Sequence, residues 1–447
     1  MRYDAPGTRA VHATPMSHLV LIVDDEPGIL QSLAGVLEDE GYRTHCVESG
    51  GEALEFYRGR RPDAVFLDVW LPDRDGLETL QALRQIDPTA SIVMMSGHGT
   101  TSTAVKAIKM GAFDFVEKPL SYEQVAEAAA QAVAFGESVT QDSRLRDLLE
   151  RTVDRMETGH DFTSPPAGRL IQETDEPQRT VASSRVLYGQ GLHSGKRTGM
   201  VLQSLPPGSG IHFLTLPDNH LLPAHVSVVA DTDYATTLSA EGESIKTVEH
   251  LLSALHAYGI TNLLIKVHGE IPVLDGSALE FCTALEEAGI EEQAAPRREL
   301  VIDRVYEVED GERSLRIEPS ESFSVSYLLR YPKPIGEQRV EFTLSSPRAY
   351  LEEVAPARTF GFMRDIKMMN ELGLGTGGRL DNFILVGEDN VINTELRFPD
   401  EFARHKVLDI IGDLYLLGYP IRGHVTARLT GHRFNISLLR EILTASS

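Results

Sequence analysis

Between residues 18 and 136, short apolar runs alternate with longer stretches whose apolar side chains recur every three or four positions. Four apolar runs predict buried strands: HLVLIV, DAVFLDV, SIVMMS and the shorter FDFVEK. Four amphipathic stretches between them predict helices: GILQSLAGVLEDEG, GEALEFYRGR, GLETLQALRQID and STAVKAIKMG. This alternation predicts a doubly wound α/β domain, in which helices cover both faces of a parallel sheet.

Beyond residue 178 a different pattern occurs twice. RVLYGQGLHSGKRTGMVLQSLPPGSGIHFLTL and RVYEVEDGERSLRIEPSESFSVSYLLRY both predict strand, turn, strand, proline and strand. The helical stretches VEHLLSALHAYG and VLDIIGDLYLLG align without a gap, which places His250 on Asp409 and Gly259 on Gly418. Thr247 is expected to cap the first of these helices and Gly259 to end it. We infer an α+β fold of two β/α repeats, with helices packed between sheets.

The connection between the two halves is polar. YEQVAEAAAQAVAF predicts the last helix of the first domain, and SRLRDLLERTVDRMETG predicts a second, connecting helix. A dimer seam, a signal relay and a solvated spacer all fit that helix. DFTSPPAGRLIQETDEPQ is polar and proline-containing, so we expect irregular chain there. The predicted organisation is a disordered tail (1–17), the α/β domain (18–136), a linker with a candidate helix (137–178), repeat I (179–298) and repeat II (299–447).

Composition and charge narrow the class of protein. The 447 residues suffice for about three domains. The formal net charge of −24 argues against a nucleic-acid-binding protein, which needs a basic face. Two cysteines cannot form a disulfide framework, and we expect a reducing cytoplasm. No apolar run approaches the length of a membrane span, and the N-terminus lacks the apolar core of a signal peptide.

Polar residues follow the predicted strands of the first domain. Asp24 and Asp25 end the first strand, and Asp68, Ser96 and Lys118 end the third, fourth and fifth. The carboxyl ends of parallel strands form the binding edge of such sheets. Three carboxylates there repel one another unless a cation lies among them, and oxygen ligands suit Mg²⁺. A nearby lysine can neutralise a phosphoryl group on one of them.

The motifs LIVDDEPGI, VFLDVWLPDRDG, VMMSGHG and DFVEKP closely resemble the flavodoxin-like receiver domain of two-component response regulators. The resemblance implies that Asp68 accepts a phosphoryl group from a histidine kinase. It implies Mg²⁺ at Asp24, Asp25 and Asp68, with the carbonyl of Trp70. It further implies phosphoryl-oxygen contacts from Ser96 and Lys118, and an aromatic switch residue at Phe115. We regard the receiver or the linker as a candidate homodimer contact.

The candidate chemistry of the second half centres on the helical stretch HKVLDIIGD. His405, Asp409 and Asp413 are four residues apart and form a stripe on one helix face. An isolated pair of this kind is more often a solvated or capped pair than a metal site. His250 on the aligned helix adds a third ligand, and three protein ligands with an open position are typical of catalytic zinc. Glu249 points about 100° away from His250 on the helix. It is therefore a candidate for accepting a proton from water without binding the metal.

Four further residues fit the hydrolysis of an amide. The Thr359 hydroxyl and Lys406 are candidates for stabilising the negative charge that develops on an attacked carbonyl oxygen. His432 is a candidate for protonating a leaving amine. Asp413 is expected to hold His432 charged and oriented.

The motifs GLHSGK, TVEHLLSAL, IPVLDGSA, RTFGF, HKVLDIIGD and the C-terminal GH match, in order and spacing, the UDP-3-O-acyl-N-acetylglucosamine deacetylase family. This zinc enzyme catalyses the committed step of lipid A biosynthesis in Gram-negative bacteria. The resemblance implies a cytoplasmic amidohydrolase that releases acetate from a nucleotide-sugar lipid precursor. It supports the ligand and catalytic assignments above and implies an apolar tunnel for the acyl chain over 362–396. The residues implied to contact substrate are Phe360, Gly361, Phe362, Asp365 and Gly431.

Two positions depart from the family pattern. Three alternative functions are also considered. Ala235 stands where a cysteine is often found, and Leu429 where a lysine is often seen. The first alternative is a phospho-regulated binding protein with an inert deacetylase-like module. The second is a zinc amidohydrolase acting on another N-acyl amino sugar, and core packing explains the apolar residues of the proposed tunnel equally well. The third, a DNA-binding regulator, is disfavoured because no helix-turn-helix with a basic face is present. Among the remaining histidines, His193 is the candidate pocket residue.

Overall fold

The computed structural model describes residues 18–87, 90–97, 106–107, 110–118, 120–140, 170–216, 220–366, 375–379 and 382–446. The chain forms two compact units, Met1–Glu137 and Ser138–Ser447, and each is described by itself. In the described part of the chain, none of the helices combines the length and the apolar character needed to cross a bilayer.

The first unit is a five-stranded parallel sheet with helices on both faces. Its strands are β1 (Leu19–Val23), β2 (Arg43–Val47), β3 (Ala64–Asp68), β4 (Ile92–Ser96) and β5 (Asp114–Glu117). Its helices are α1 (Pro27–Asp39), α2 (Gly50–Gly59), α3 (Gly76–Ile86) and α4 (Tyr122–Thr140). The strand order is β2-β1-β3-β4-β5, and two hydrophobic clusters fill the two faces. The predicted doubly wound fold is therefore confirmed.

Burial explains which of these strands could be recognised from the sequence. All residues of the central strands β3 and β4 are buried, as expected where helices cover both faces of a parallel sheet. β2 has no counterpart among the predicted apolar runs. It is an edge strand in which Arg43, His45 and Cys46 are exposed, so its sequence carries little hydrophobic signal. Most of the predicted helix STAVKAIKMG lies outside the described residues.

In its described residues, the second unit contains mixed sheets and five α-helices. Its strands are β6 (Ile171–Val181), β7 (Arg185–Gln190), β8 (Arg197–Ser204), β9 (Ile211–Thr215), β10 (Leu221–Pro223), β11 (Val229–Asp231), β12 (Thr237–Ala240), β13 (Glu243–Ile245), β14 (Leu263–Val267), β15 (Ile290–Val301), β16 (Tyr306–Asp310), β17 (Arg313–Glu318), β18 (Ser324–Arg330), β19 (Glu337–Thr343), β20 (Phe360–Phe362), β21 (Ile384–Val386), β22 (Ile421–Arg422) and β23 (His424–Arg428). Its helices are α5 (Glu249–Tyr258), α6 (Leu279–Ala288), α7 (Pro347–Glu353), α8 (Glu401–Leu414) and α9 (His432–Ser446).

The two large sheets of this unit share one topology. Their orders are β10-β9-β14-β8-β7 and β16-β17-β23-β18-β19. In the first sheet, the central strand β14 is antiparallel to β8 and parallel to β9. In the second sheet, the central strand β23 is antiparallel to β17 and parallel to β18 in the same way. The duplication inferred from the sequence is therefore visible in the strand connections. Smaller sheets join β11-β12-β13, β22-β15-β6 and β20-β21.

The helices α5 and α8 are in backbone contact. A Cβ atom added to Gly412 would lie only 1.9 Å from the carbonyl oxygen of Glu249, so the helices can approach this closely because residue 412 has no side chain. α8 also packs against β18 and β19 of the second sheet. Gly259 and Gly418, which the sequence alignment paired, both follow their helices in the left-handed conformation.

Two local predictions were wrong. The polar segment before residue 179 is not irregular from Ile171 onward, because β6 runs from Ile171 to Val181 and pairs antiparallel with β15, whereas residues 161–169 lie outside the described part of the chain. Its side chains are mostly exposed or half-buried, which explains the missing hydrophobic alternation, and the expected start of repeat I at Arg179 falls within it. Thr247 does not cap α5, since the helix begins at Glu249 and the Thr247 hydroxyl donates to Glu270 instead.

Candidate functional site

The helix pair brings the three predicted metal ligands together. His250 lies in the first turn of α5, whereas His405 and Asp409 lie one turn apart on α8. The Asp409 Oδ1 atom is 3.5 Å from His405 Nε2 and 3.8 Å from His250 Nε2. All three ligand atoms lie within 4.8 Å of one another, and all three residues are buried. Their spacing suits a single ion with an imidazole from repeat I and an imidazole and a carboxylate from repeat II.

The hydrogen bonds and charges of this cluster fit a divalent metal. His405 Nδ1 is 3.1 Å from the Ala357 carbonyl, so the ring donates there and its Nε2 lone pair faces the cluster. Asp409 Oδ1 is buried without a hydrogen-bond partner. Burial lowers the pKa of His250 to about 3, and the charge of nearby Lys406 holds the pKa of Asp409 below its usual range against the opposing effect of burial. Neutral imidazoles beside an ionised carboxylate form a typical zinc ligand set.

Glu249 and His432 face the same space. Glu249 Oε1 is 3.9 Å from His432 Nε2, which is also 3.9 Å from Asp409 Oδ2. Burial raises the pKa of Glu249 to about 8, and the charges of Asp413 and Asp409 act in the same direction. Glu249 lies next to His250 in the chain and near His432, and it is not one of the three clustered ligand residues.

The His432 ring is oriented by Asp413. Its Nδ1 donates to Asp413 Oδ2 over 2.8 Å, and the same oxygen accepts from Asn435 Nδ2 at 2.8 Å. The Thr236 hydroxyl donates to Asp413 Oδ1 at 2.6 Å. Burial alone would lower the pKa of His432, but the charges of Asp413 and Asp409 raise it to about 9. The ring is therefore cationic near neutral pH and can donate a proton.

Lys406 and Thr359, the two candidates for stabilising negative charge, lie at different places relative to the candidate metal ligands. Lys406 Nζ donates to Asp409 Oδ2 at 2.8 Å and lies 5.6 Å from the centre of the Phe360 ring. Neighbouring carboxylate and phenol groups, Asp409 above all, raise the pKa of Lys406 against burial, so it remains cationic. Thr359 directly precedes Phe360, and its backbone amide donates to the carbonyl of Gly276. The structure thus brings Lys406 to the metal cluster, and Thr359 to the strand beside it.

Of the predicted substrate residues, Phe360 lies nearest to the candidate metal ligands. The Phe360 ring is 6.2 Å from the His405 ring, and Phe362 packs 5.2 Å from the Tyr331 ring. Gly361 lies between the two phenylalanines in β20, and the half-buried Asp365 follows in a short 3-10 turn. Gly431 accepts the first backbone hydrogen bonds of α9. Part of the predicted acyl tunnel, residues 367–374 and 380–381, lies outside the described residues.

His193 is buried, and neither of its ring nitrogens has a hydrogen-bond partner. The backbone amides of His193 and Ser194 donate to the Glu270 carboxylate at 2.8 and 2.9 Å. Burial lowers the pKa of His193. The Glu270 carboxylate thus holds the backbone of this loop, and the place of the His193 imidazole in a pocket stays a prediction.

Two residues of the site were not among the predictions. Thr236 and Asn435 are fully buried and both bind Asp413. Asn435 follows His432 by three positions on α9, so helical spacing could have indicated it. Thr236 lies 177 residues from Asp413 in the chain, and nothing in its local sequence points to that contact.

The first unit gathers its predicted residues at the carboxyl edge of the sheet. Lys118 Nζ lies 2.6 Å from Asp24 Oδ2 and 2.8 Å from Asp68 Oδ1. Burial raises the pKa of Asp68, and the amide of Trp70 donates to its Oδ2 at 2.9 Å. A cavity of about 870 Å³ opens at Asp68, and its lining includes Lys118 and the exposed Asp25. The arrangement places a lysine and clustered carboxylates where a phosphoryl group and a cation can enter.

The remaining predicted residues of the first unit are Ser96 and Phe115. Ser96 is fully buried at the end of β4, and its carbonyl accepts the amide of Lys118. Phe115 is buried within β5 and belongs to one of the two hydrophobic clusters.

Comparison with known proteins agrees with this division. The family model described as "UDP-3-O-acyl N-acetylglycosamine deacetylase" matches residues 178–444, and that of the response regulator receiver domain matches residues 20–130. A UDP-3-O-acyl-N-acetylglucosamine deacetylase of Myxococcus xanthus is 42% identical over 275 residues, covering 60% of this chain and 87% of its own length. A protein of the same name from Anaeromyxobacter sp. is 44% identical over 268 residues, covering 60% and 88%. The crystal structure of the receiver domain of NtrX from Brucella abortus is 41% identical over 26% of this chain and 97% of its own, with a TM-score of 0.25.

Proposed function

The chain belongs to the UDP-3-O-acyl N-acetylglycosamine deacetylase family and carries a response regulator receiver domain, and we propose that it is a zinc-dependent deacetylase with a phosphorylatable regulatory unit. Its substrate is UDP-3-O-acyl-N-acetylglucosamine, and its products are acetate and the free amine, at the committed step of lipid A biosynthesis. Its location is the cytoplasm. The observation that carries the proposal is the convergence of His250, His405 and Asp409 next to Glu249 and His432.

In this mechanism His250, His405 and Asp409 hold zinc. When bound there, zinc activates a water molecule and polarises the amide carbonyl of the substrate. Glu249 accepts the proton of the attacking water through an ionised carboxylate oxygen. Although burial raises the pKa of Glu249, the charge of the neighbouring His432 lowers that pKa and so favours the ionised form. Lys406, with the Thr359 hydroxyl, stabilises the negative charge that develops on the carbonyl oxygen.

The leaving group of the reaction is an amine, which must be protonated as the C–N bond breaks. His432 is cationic near neutral pH and presents Nε2 toward Glu249 and the metal cluster. Its Nδ1 is held by Asp413, so Nε2 is free to donate its proton to the nitrogen of the sugar. Phe360, Gly361, Phe362, Asp365 and Gly431 are assigned to substrate contacts.

Acetate release tests this proposal. The purified full chain is stripped of metal with a chelator, reloaded with one equivalent of zinc and given the UDP-linked substrate. We expect equal amounts of acetate and free amine from the reloaded protein, and none from the stripped protein. A zinc-loaded protein that releases no acetate from this sugar would instead support an inert binding module. Turnover of other N-acetyl amino sugars at equal rates would support the broader amidohydrolase.

For the first unit, we propose that Asp68 accepts a phosphoryl group from a histidine kinase, with Mg²⁺ held by Asp24, Asp25 and Asp68 and the carbonyl of Trp70. Ser96 and Lys118 bind the phosphoryl oxygens, and Phe115 acts as the aromatic switch. Trp70 is the single tryptophan of the chain and is 65% exposed. Its amide is already bonded to Asp68, so it should sense changes there.

The single tryptophan makes this proposal measurable. Beryllofluoride with Mg²⁺, a mimic of the acyl phosphate, should change Trp70 fluorescence in a saturable way. Asp68→Asn removes the acceptor carboxylate and should abolish the fluorescence response. Asp63→Asn is the same exchange just before the same strand, and it should leave the response intact. An equal response in the Asp68→Asn variant would show that the mimic does not bind at this carboxylate.

A further inference from the structure

Thr236 contacts both the candidate base and the candidate acid of the site. Its backbone amide donates to Glu249 Oε2 at 3.1 Å. Its hydroxyl donates to Asp413 Oδ1 at 2.6 Å and lies 3.4 Å from His432 Nδ1. The side chain is fully buried. One residue of repeat I therefore holds groups from α5, α8 and α9.

The backbone just before and at Thr236 helps to fix the position of this residue. Tyr234 adopts a positive φ of 65°, a conformation that costs energy for a residue with a side chain. Ala235 is buried, and the Thr236 carbonyl accepts the amide of Val248 at 3.4 Å, just ahead of α5. The backbone of Thr236 is thus tied to the start of the helix that carries Glu249 and His250.

We propose that Thr236 is a positioning residue that couples the base and the acid of the deacetylase, its hydroxyl orienting the Asp413 carboxylate that in turn orients His432. The inference rests on the proposed deacetylase function and adds to it a residue that acts through others. Thr236 needs no contact with substrate to fulfil this role.

The Asp413 carboxylate explains why one hydroxyl matters. Its Oδ2 receives two donors, His432 Nδ1 and Asn435 Nδ2, whereas its Oδ1 receives the Thr236 hydroxyl. Without that hydroxyl, Oδ1 would be a buried anionic oxygen lacking this donor, and the carboxylate could rotate toward its other partners. His432 would follow, because the same carboxylate fixes its ring. Small displacements of a proton donor are costly in catalysis.

Three variants separate the hydroxyl from the rest of the residue. Thr236→Val keeps the shape and the backbone amide bonded to Glu249 but removes the hydroxyl. We expect kcat to fall about 10- to 100-fold, the range usual for residues that orient a catalytic or metal-binding group. KM and zinc content should remain at wild-type values. Thr236→Ser restores the hydroxyl and should recover most of kcat, and Thr237→Val is the matched control at the neighbouring buried position.

A double-mutant cycle tests whether the effect passes through Asp413. In an Asp413→Ala background, Thr236→Val should lower kcat much less than it does in the wild type, because the acceptor is already gone. The same cycle measured by chemical unfolding reports the contact without any need for turnover. It should show coupling between Thr236 and Asp413, and none between Thr237 and Asp413.

The outcomes are distinguishable. If the wild type releases no acetate but the unfolding cycle shows coupling, the proposed deacetylase function fails although the contact between Thr236 and Asp413 exists. The positioning role is then overturned as well, because there is no catalysis for Thr236 to support. If the wild type is active and Thr236→Val keeps full kcat, the positioning role is overturned alone. The same holds if Thr236→Val loses zinc, or if Thr236→Ser fails to recover kcat, since either result indicates a structural role.

Discussion

Asp409 connects the three candidate metal ligands, of which it is one, with the charged groups around them. Its Oδ1 faces the two histidines, while its Oδ2 accepts from Lys406 and lies near His432. Its carboxylate therefore supplies the only negative charge of the three-ligand set. The buried cationic groups nearby depend on that charge, since an unpaired buried charge is strongly destabilising.

The first prediction concerns this residue. Asp409→Ala should lose most of its zinc, and its kcat/KM should fall more than about 100-fold, because a three-ligand site lacks a spare ligand and even supporting residues cost up to that much. Metal content by atomic emission, measured beside turnover, checks both effects. Asp400→Ala removes an aspartate just before the same helix, where it pairs with Arg404, and should keep both zinc and activity. Full zinc occupancy in Asp409→Ala would contradict the ligand assignment.

At the same scale, the chain's chemistry could be recognised from the sequence wherever the spacing was local or repeated. His405 and Asp409 were identified by their distance of one helical turn, and His250 by the alignment of two similar helices. Thr236 was not identified because its partner Asp413 lies 177 residues away, whereas the spacing of Asn435 from His432 on one helix could have indicated Asn435. Their role depends on which partner the fold brings to them.

At the scale of elements, the contact between α5 and α8 positions the site. Gly412 lies against the carbonyl of Glu249, so the closest approach of the helices is next to the base and the first metal ligand. Tertiary packing of this kind decides the distance between ligands from different repeats. A side chain at this position should therefore disturb both stability and the metal cluster.

The second prediction tests that contact. Gly412→Ala places a Cβ atom 1.9 Å from the Glu249 carbonyl oxygen, which forces the backbones apart. We expect a loss of about 3 kcal/mol in the free energy of unfolding, at the upper end of the usual cost of overpacking, together with weaker zinc binding. Denaturant unfolding and zinc titration measure the two effects. Gly35→Ala, in a helix with open space around residue 35, should cause neither, and wild-type stability of Gly412→Ala would contradict the packing described.

The third prediction concerns acid stability and His256, which lies in the same helix pair. Its ring stacks on Tyr415 with 4.5 Å between centroids, and its Nδ1 donates to the Ile411 carbonyl. Burial lowers its pKa to about 4. The unfolded chain, with a histidine pKa of about 6.5, binds a proton between these values that the folded chain does not bind. Stability from this group is therefore fully present above about pH 6.5 and falls as the pH drops toward 4.

Comparing wild type with His256→Phe isolates this effect, because the phenyl ring keeps the stacking but cannot titrate. Between pH 7 and pH 5 the wild type should lose about 2 kcal/mol more unfolding free energy than the variant. Denaturant unfolding at both pH values measures the difference. Equal losses in both proteins would show that His256 is already protonated in the folded state or is not buried.

The elements themselves were predictable to different degrees. The buried strands of the parallel sheet and the helices α1, α2 and α3 followed from hydrophobic periodicity, since burial on one or both faces imposes it. β2 and β6 did not, because an edge strand and a polar ribbon bury too little to carry a pattern. Thr247 was a plausible cap by residue type, but its hydroxyl is bonded to Glu270.

At the scale of the whole molecule, one chain combines a receiver domain with a domain of the deacetylase family. Phosphorylation adds about two negative charges at Asp68 and attracts the lysine and hydroxyl groups around it. The presence of both domains in one chain motivates a regulatory hypothesis. We therefore propose that the phosphorylated state of Asp68 changes the activity or the stability of the deacetylase.

The fourth prediction follows from that proposal. Beryllofluoride with Mg²⁺ should change kcat or KM for the UDP-linked substrate, or the unfolding midpoint of the deacetylase unit, by more than the scatter of replicate measurements. The same additions to Asp68→Asn should have no effect, which excludes inhibition of the zinc site by the reagents. Identical kinetics and stability with and without the mimic would remove the idea of control while leaving both units intact.

Several features were determined by the sequence alone. Apolar spacing specified a parallel α/β unit followed by a duplicated α+β unit, because the period of buried residues differs between strands and helices. The order of carboxylates, serine and lysine on strand ends indicated phosphoacceptor chemistry. The two aligned helices indicated a three-ligand metal site.

Other features were decided only by the tertiary structure. The distance between His250 and Asp409 depends on how closely two helices pack, and that depends on a glycine whose neighbour lies on the other helix. The Thr236 contact with Asp413, and the pairing of β6 with β15, likewise join segments far apart in the chain. Such contacts leave no local pattern, because their free energy belongs to the pair and exists only once the chain has folded.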